Sequence, residues 1–328
     1  MKMISVMDEK HFLKQIEAIF EKKRKDVEQE FSPEFYKYFK RFFENPQTFK
    51  AYSKMCKHVF DITKARRKKV LDVGCGYGLV SIHLGIYGSE VIGVDLNEGR
   101  IKVFGKILRS LSPSLNNVTA RLEDALELDY NNEHFDVVVC NEVISHVKDL
   151  DLLLQRMNKA LKSSGLLYIS DGNNKLNVLM RHKRRQRWEN AEFRYRSERK
   201  KMIRKMFPAL DAKTLDLLAE ETAGMYGGEI FRAVNQYLKE GRIIDKPTFK
   251  FREPTTGYYP EREFNPFALK KNITKFGFKA KILRPYFVAE HPSPAKRVIK
   301  KLLAQTVRLL HPISILASTK FEILAEKL

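Results

Sequence analysis

Two stretches carry residue types that can hold a nucleoside. Val70-Leu71-Asp72-Val73-Gly74-Cys75-Gly76-Tyr77-Gly78 is an apolar run entering a glycine-rich turn. Val91-Ile92-Gly93-Val94-Asp95-Leu96 is a second apolar run that closes on a carboxylate. Apolar runs without polar alternation predict parallel strands covered on both faces. The glycines let the chain turn sharply and bring bare backbone against a ligand before a helix starts near Leu79. Asp95, at the end of the second strand, is placed to accept hydrogen bonds from ribose hydroxyls, charge-assisted bonds worth about 1.5–3 kcal/mol each. The two stretches read as half of a nucleoside-cofactor site.

The glycine spacing narrows the choice. A dinucleotide fingerprint, G-x-G-x-x-G, needs its third glycine where Leu79 stands. The spacing here is G-x-G-x-G, with Asp72 just upstream. A carboxylate there repels a pyrophosphate and suits a cationic amino-acid end. These residues resemble the class I S-adenosylmethionine methyltransferases: VLDVGCGYG is similar to their first motif and VIGVDL to their second. Leu122-Glu123-Asp124-Ala125 is similar to the turn that holds the adenine, with Asp124 toward its amino group. The stretch from Phe135 to His146 resembles the fourth strand and the substrate-facing turn. The resemblance implies S-adenosylmethionine as methyl donor and S-adenosylhomocysteine as product. It carries cofactor contacts onto Asp72, Gly74, Cys75, Gly76, Tyr77, Gly78, Asp95, Leu96, Asp124, Ala125 and Asn141.

Methyl transfer is an in-line displacement, so holding donor and acceptor about 3 Å apart supplies much of the catalysis. A hydroxyl acceptor also needs a base. His146, expected at the mouth of the cleft after the fourth strand, is the candidate; its alternative role is to pack or cap the next helix. Glu142 and His146 resemble part of an E-x-x-E-H metal site of some hydroxyl methyltransferases. Ser145 stands where the second glutamate belongs, so no metal is expected. Asn141 leads into Glu142-Val143-Ile144 rather than a Pro-Pro-aromatic tetrad, which disfavours amino-group methylation of nucleobases. No Pro-Cys nucleophile serves cytosine C5 chemistry, because Cys140 lies inside the predicted strand.

The elements that must position these residues follow a β-α-β alternation. Strands are expected near 69–73, 90–94, 117–121, 135–140 and 165–170, with helices from about 79, 97 and 149. Together with the resemblance this predicts a Rossmann-like, doubly wound α/β fold. Its mostly parallel seven-stranded sheet would end in an antiparallel last strand, from Phe278–Leu283 and Phe321–Ala325. Three further regions complete the expectation: an N-terminal helical extension (1–64), the core (65–171 and 262–328), and an inserted basic helical cap (172–261). In the extension, Ser32-Pro33 and Asn45-Pro46 mark helix starts. Phe35, Phe39 and Phe42 recur at helical spacing, either packing on the core or forming a lid. The cap, roughly ninety residues and so too long for a structureless loop, opens with the Arg-rich stretch 181–205. Residues 295–311 read as a basic amphipathic helix, either docked on the core or lying in an anionic membrane interface.

The formal charge is +21 over 328 residues, a field that favours polyanions. Cys56, Cys75 and Cys140, an odd count without metal spacing, read as reduced core residues. The N-terminus becomes charged too early for a signal peptide, and apolar stretches fall short of the roughly 20 residues of a spanning helix. The expected location is cytoplasmic, peripheral at the inner face of the membrane, with the oligomeric state left open. The favoured partner is a small-molecule, lipid-linked or glycan acceptor, with a hydroxyl as the methylated group. The second class is nucleic acid, an RNA methyltransferase gripping phosphates with the Arg-rich cap. A non-enzymatic cofactor-binding scaffold comes third.

Overall fold

The computed structural model describes residues 6–111, 115–130, 134–247, 249–286, 293–310, 312–316 and 318–328. It opens with helices α1 (Val6–Phe20), α2 (Arg24–Glu30), α3 (Pro33–Glu44) and α4 (Pro46–Ile62). Strands and helices then alternate: β1 (Lys69–Val73), α5 (Leu79–Ile86), β2 (Glu90–Asp95), α6 (Glu98–Leu111), β3 (Val118–Leu122), β4 (Phe135–Asn141), α7 (Leu150–Ala160) and β5 (Leu161–Asp171). Helices α8 (Val178–Met206), α9 (Ala212–Glu221) and α10 (Gly228–Glu240) interrupt the alternation. The chain finishes with α11 (Pro266–Lys275), β6 (Phe278–Ile282), α12 (Pro294–Leu309), a 3-10 turn at Ile313–Leu316, and β7 (Phe321–Lys327).

The described strands form one seven-stranded sheet in the order β3-β2-β1-β4-β5-β7-β6. β1 to β5 pair in parallel, and β7 runs antiparallel to both β5 and β6. This is the Rossmann-like sheet expected, because strands covered on both faces are built from unbroken apolar runs. Val70, Leu71 and Val73 are buried, as are Val137, Val138, Val139 and Cys140. From β1 the chain winds out to β3, then returns to place β4 on β1's other side. The C-terminal ends of β1 and β4 therefore flank the point where winding reverses, the crevice in which such sheets bind ligands.

The chain divides into two compact units. The first holds residues 1–143, 151–172 and 265–328. Within it, Ser32 Oγ accepts from the Phe35 N–H (3.0 Å) and Asn45 Oδ1 from the Gln47 N–H (3.0 Å), capping α3 and α4 behind their first-turn prolines. Phe35, Phe39 and Phe42 are buried, as the packing reading expects. Phe35 and Phe39 also meet the ring of Tyr77, with centroids 5.2 and 5.5 Å apart, so α3 lies against the glycine-rich loop. Of the two readings of residues 295–311, the described side chains of α12 do not favour docking on the core. Val298, Ile299, Leu302 and Leu310, from its predicted apolar face, are all more than half exposed. The side chains of Leu303 and Val307, and all of His311, lie outside the described residues.

The second unit holds residues 144–150 and 173–264. It has its own core, in which Ile203 meets Leu215, Leu218, Ala219, Met225, Ile230 and Val234. The Arg-rich stretch is one uninterrupted helix, α8, and much of its charge is paired internally. Arg184 bonds Glu263, Arg187 bonds Glu261, Arg196 bonds Glu220, Arg199 bonds Glu192 and Lys200 bonds Asp216. Arg184 and Arg199 are buried outright. No described helix is long and apolar enough to cross a membrane.

Candidate active site

The glycine-rich loop is strapped to the end of β2. The Cys75 N–H donates to the Val94 carbonyl (2.9 Å), and the Gly76 N–H donates to Asp95 Oδ2 (2.9 Å). Asp95 Oδ1 accepts from the Asn97 N–H (2.8 Å). Each carboxylate oxygen has two lone-pair sites, so both keep one for a ribose hydroxyl. The Glu123 N–H donates to the Asp95 carbonyl (3.2 Å), which brings the β3 turn alongside. There Asp124 Oδ1 accepts from the Leu126 N–H (2.9 Å), and Ala125 is half-buried. Leu96, directly after Asp95, is 53% exposed, an apolar surface at the strand end suited to an adenine face.

Asp72 is buried in β1, and Ser81 Oγ donates to its Oδ2 at 2.6 Å. Burial pushes its carboxyl up to about 7; the Ser81 bond opposes the rise and the charge on Asp95 adds to it. A buried carboxylate short of positive charge fits the cationic amino-acid end of S-adenosylmethionine. The loop backbone fits the rest. A Cβ on Gly76 would meet nothing within 4 Å, so bare backbone faces open space there. Gly74 and Cys75 form the loop's first bend, and Cys75 is half-buried, with burial pushing its thiol up.

The two glycines before α5 make opposite demands. A Cβ on Gly78 would lie 2.1 Å from the ring of buried Phe104, at φ +79°. Gly78→Ala is expected to destabilise the fold by about 3 kcal/mol or more, through left-handed strain plus overpacking. Gly76→Ala is expected to cost only about 1–2 kcal/mol, for its φ of +57°, and to act on cofactor binding by filling the opening. Thermal melts and cofactor titration of both variants check the contrast. Equal melting temperatures would contradict it.

At the ends of β4, β5 and β7 stands a residue that sequence reasoning missed. Lys320 Nζ donates to Asn141 Oδ1 (3.1 Å) and lies 3.3 Å from Glu142 Oε1. Glu142 sits at φ +59°, held there by its own N–H to the Ser170 carbonyl (2.7 Å) and by the Gly172 N–H to its Oε2 (2.9 Å). Asn141, expected as a cofactor contact, is thus already in a lysine–carboxylate–amide group. A carboxylate, Glu142, directly after the predicted fourth strand was the signal in the sequence that could have pointed to it. Among the described residues no group of three or more His, Cys, Asp and Glu is arranged to hold a metal ion.

His146 belongs to the second unit. Its Nδ1 lies 3.1 Å from the Tyr259 carbonyl, and the Tyr259 N–H donates to the His146 carbonyl (3.0 Å). The Arg262 N–H donates to the Ser145 carbonyl (3.0 Å), fixing the same turn. A carbonyl only accepts, so neutral His146 carries its proton on Nδ1 and leaves the Nε2 lone pair available. The guanidiniums of Arg252 and Arg262 lie over the Tyr259 ring, 5.3 and 4.6 Å from its centroid, and hold that partner in place. The predicted cofactor residues therefore gather along the strand ends of one unit, and the predicted base lies in the other.

Comparison with known proteins shows the family. A family model described as a methyltransferase domain matches residues 45–222. An uncharacterised methyltransferase of Schizosaccharomyces pombe is 29% identical over 119 residues, 35% of this chain and 42% of that protein. The mitochondrial ubiquinone biosynthesis O-methyltransferase of Rattus norvegicus is 38% identical over 107 residues, 32% of this chain and 31% of that protein. The chain spans less than half the length of the curated relatives it matches. A solved S-adenosylmethionine-dependent methyltransferase from Mesorhizobium loti is 13% identical with a TM-score of 0.42, covering 80% of this chain and 92% of that one.

Proposed function

The chain belongs to the methyltransferase-domain family and uses S-adenosylmethionine as methyl donor, and from that premise we propose that it methylates a hydroxyl of a small-molecule acceptor, lipid-linked or glycan in class, presented at an anionic membrane surface. The observation that carries the hydroxyl reading is His146, whose Nδ1 faces the Tyr259 carbonyl and leaves Nε2 free to take a proton. The name of the rat relative, an O-methyltransferase, supports an oxygen acceptor.

The roles follow from the chemistry of each group. Asp95 holds the ribose, Asp72 the cationic amino end, and Asp124, Ala125 and Leu96 the adenine. Gly74, Cys75, Gly76, Tyr77 and Gly78 form the backbone cradle, and Asn141 completes it beside Lys320. The bound donor supplies an electrophilic methyl carbon on a sulfonium. His146 removes the hydroxyl proton as the acceptor oxygen attacks. The inserted unit, residues 172–261, selects the acceptor. Internal pairing of Arg184, Arg187, Arg196 and Arg199 leaves α8 fewer cations for phosphate contacts, which counts against the nucleic-acid reading.

The test is to incubate extracts of the source cells with the protein and isotope-labelled donor, then follow the label by mass spectrometry. Label in a solvent-extractable, O-methylated product is expected. Label recovered in RNA would overturn the proposal.

A further inference from the structure

β6 and β7 are antiparallel neighbours, paired from Phe278↔Lys327 to Ile282↔Ile323. Such strands need only a tight turn between them. Residues 283–320 intervene instead and carry α12. A helix placed in a connection the sheet does not require should at least add to the core, as α11 does by burying Pro266, Leu269 and Ile273. α12 does not. Val298 (57% exposed), Ile299 (56%), Leu302 (58%) and Leu309 (83%) all face solvent. Ile313 and Leu316 extend the apolar surface, while Ile315 between them is buried and anchors its far end.

What covers such a surface is indicated by its charge. From His291 to Lys320 there is no Asp or Glu, whereas Lys296, Arg297, Lys300, Lys301 and Arg308 lie within α12. By helical period Lys296, Arg297 and Lys300 fall on the arc away from Val298, Leu302 and Leu309, while Lys301 and Arg308 run along its border; Lys296 and Lys301 are exposed. An apolar arc bordered only by cations is complementary to acyl chains below a layer of anionic headgroups. A second copy of this chain, with its net charge of +21, offers no negative layer to match it.

We propose that α12 and the Ile313–Leu316 turn form a docking surface for an anionic lipid bilayer, with the apolar arc at the acyl boundary and the lysines among the headgroups. The connection leaves β6 at Ile282 and returns at Phe321, which pairs with Asp171 at the C-terminal end of β5. The lipid surface therefore meets the same sheet edge that carries Asn141, Glu142 and Lys320. The proposal rests on the lipid-acceptor reading for its biological purpose, but it is measured without any acceptor.

The experiment is sedimentation of the full chain with vesicles of phosphatidylcholine alone and with phosphatidylcholine containing phosphatidylglycerol. The chain is expected to pellet with the anionic vesicles at low salt and to be released as salt rises. The double variant Lys296→Glu, Lys301→Glu should bind about 30-fold more weakly or worse, at about 1 kcal/mol per lysine lost. The variant Ile299→Ser, Leu302→Ser, Leu309→Ser should also lose binding. Both should keep the parent melting temperature, because none of these side chains is buried. Failure of the parent to pellet with anionic vesicles overturns the proposal, as does undiminished binding by both variants. Self-association abolished by the serine variant, without vesicle binding, would assign the surface to a second copy and overturn it equally. Vesicle binding together with label in a water-soluble product would keep the docking surface and remove the lipid acceptor.

Discussion

His146→Ala is expected to lower turnover about 10²–10⁴-fold while leaving S-adenosylmethionine affinity nearly unchanged. The loss is that of a general base, and none of the residues assigned to the cofactor is touched. The side chain is exposed and, among the described residues, bonds a backbone carbonyl, so the melting temperature should move little. If His146 only packs the turn, the reverse holds: the melting temperature drops and turnover per folded molecule stays. His146→Gln separates the two further, since an amide can donate to the Tyr259 carbonyl but cannot take up the proton. Steady-state rates, normalised to folded protein by calorimetry, decide between the two.

Asp72→Asn is expected to stabilise the ligand-free protein above about pH 7 and to weaken cofactor binding by about 1–3 kcal/mol, roughly 5- to 150-fold. Burial raises the Asp72 carboxyl from its ordinary value of 3.8 to about 7, so the folded state prefers it protonated. Its contribution to stability is therefore fully present below about pH 4. It is lost as pH rises through about 7, at about 1.4 kcal/mol per unit in between. The amide keeps the shape and the contact with Ser81 but has nothing to ionise, so that slope disappears. A cationic ligand acts in the opposite sense, because it favours the charged carboxylate. Below about pH 7, cofactor binding should release a proton and weaken by up to tenfold per pH unit. Calorimetry in buffers of different protonation enthalpy counts that proton. An affinity independent of pH, unchanged in the amide variant, would show that Asp72 does not face the ligand's positive end.

The sheet was legible because burial on both faces leaves a one-dimensional trace: Val70–Val73 and Val137–Cys140 are apolar at every position but Asp72. The starts of α3 and α4 were legible for a local reason, since a cap and a first-turn proline lie within three residues of each other. Partners distant in sequence left no such trace. Glu142 is visible from its own neighbourhood, but Lys320, which pairs with it, comes from the opposite end of the domain. The arginines of α8 read as a basic patch because Glu261 and Glu263, which bond Arg187 and Arg184, lie more than seventy positions away. For α12 the limit was different. A period shows that a helix has two faces, but not which medium meets the apolar one.

The inserted unit begins and ends at one point. Asn174 and Phe264 form a parallel bridge; the Phe264 N–H donates to the Asn173 carbonyl (2.9 Å) and the Lys175 N–H to the Phe264 carbonyl (2.8 Å). Whatever lies between those residues is closed by its own stem, so its length adds little to the entropy cost of ordering the flanking chain. Evolution can then treat the segment as a cassette, lengthening it or exchanging it without disturbing the register of β5 and β7. On the proposed role of the insert, donor chemistry and acceptor choice are free to diverge at different speeds. A chimera that keeps the Asn173–Phe264 stem and carries another family member's insert is the natural unit for redesigning specificity.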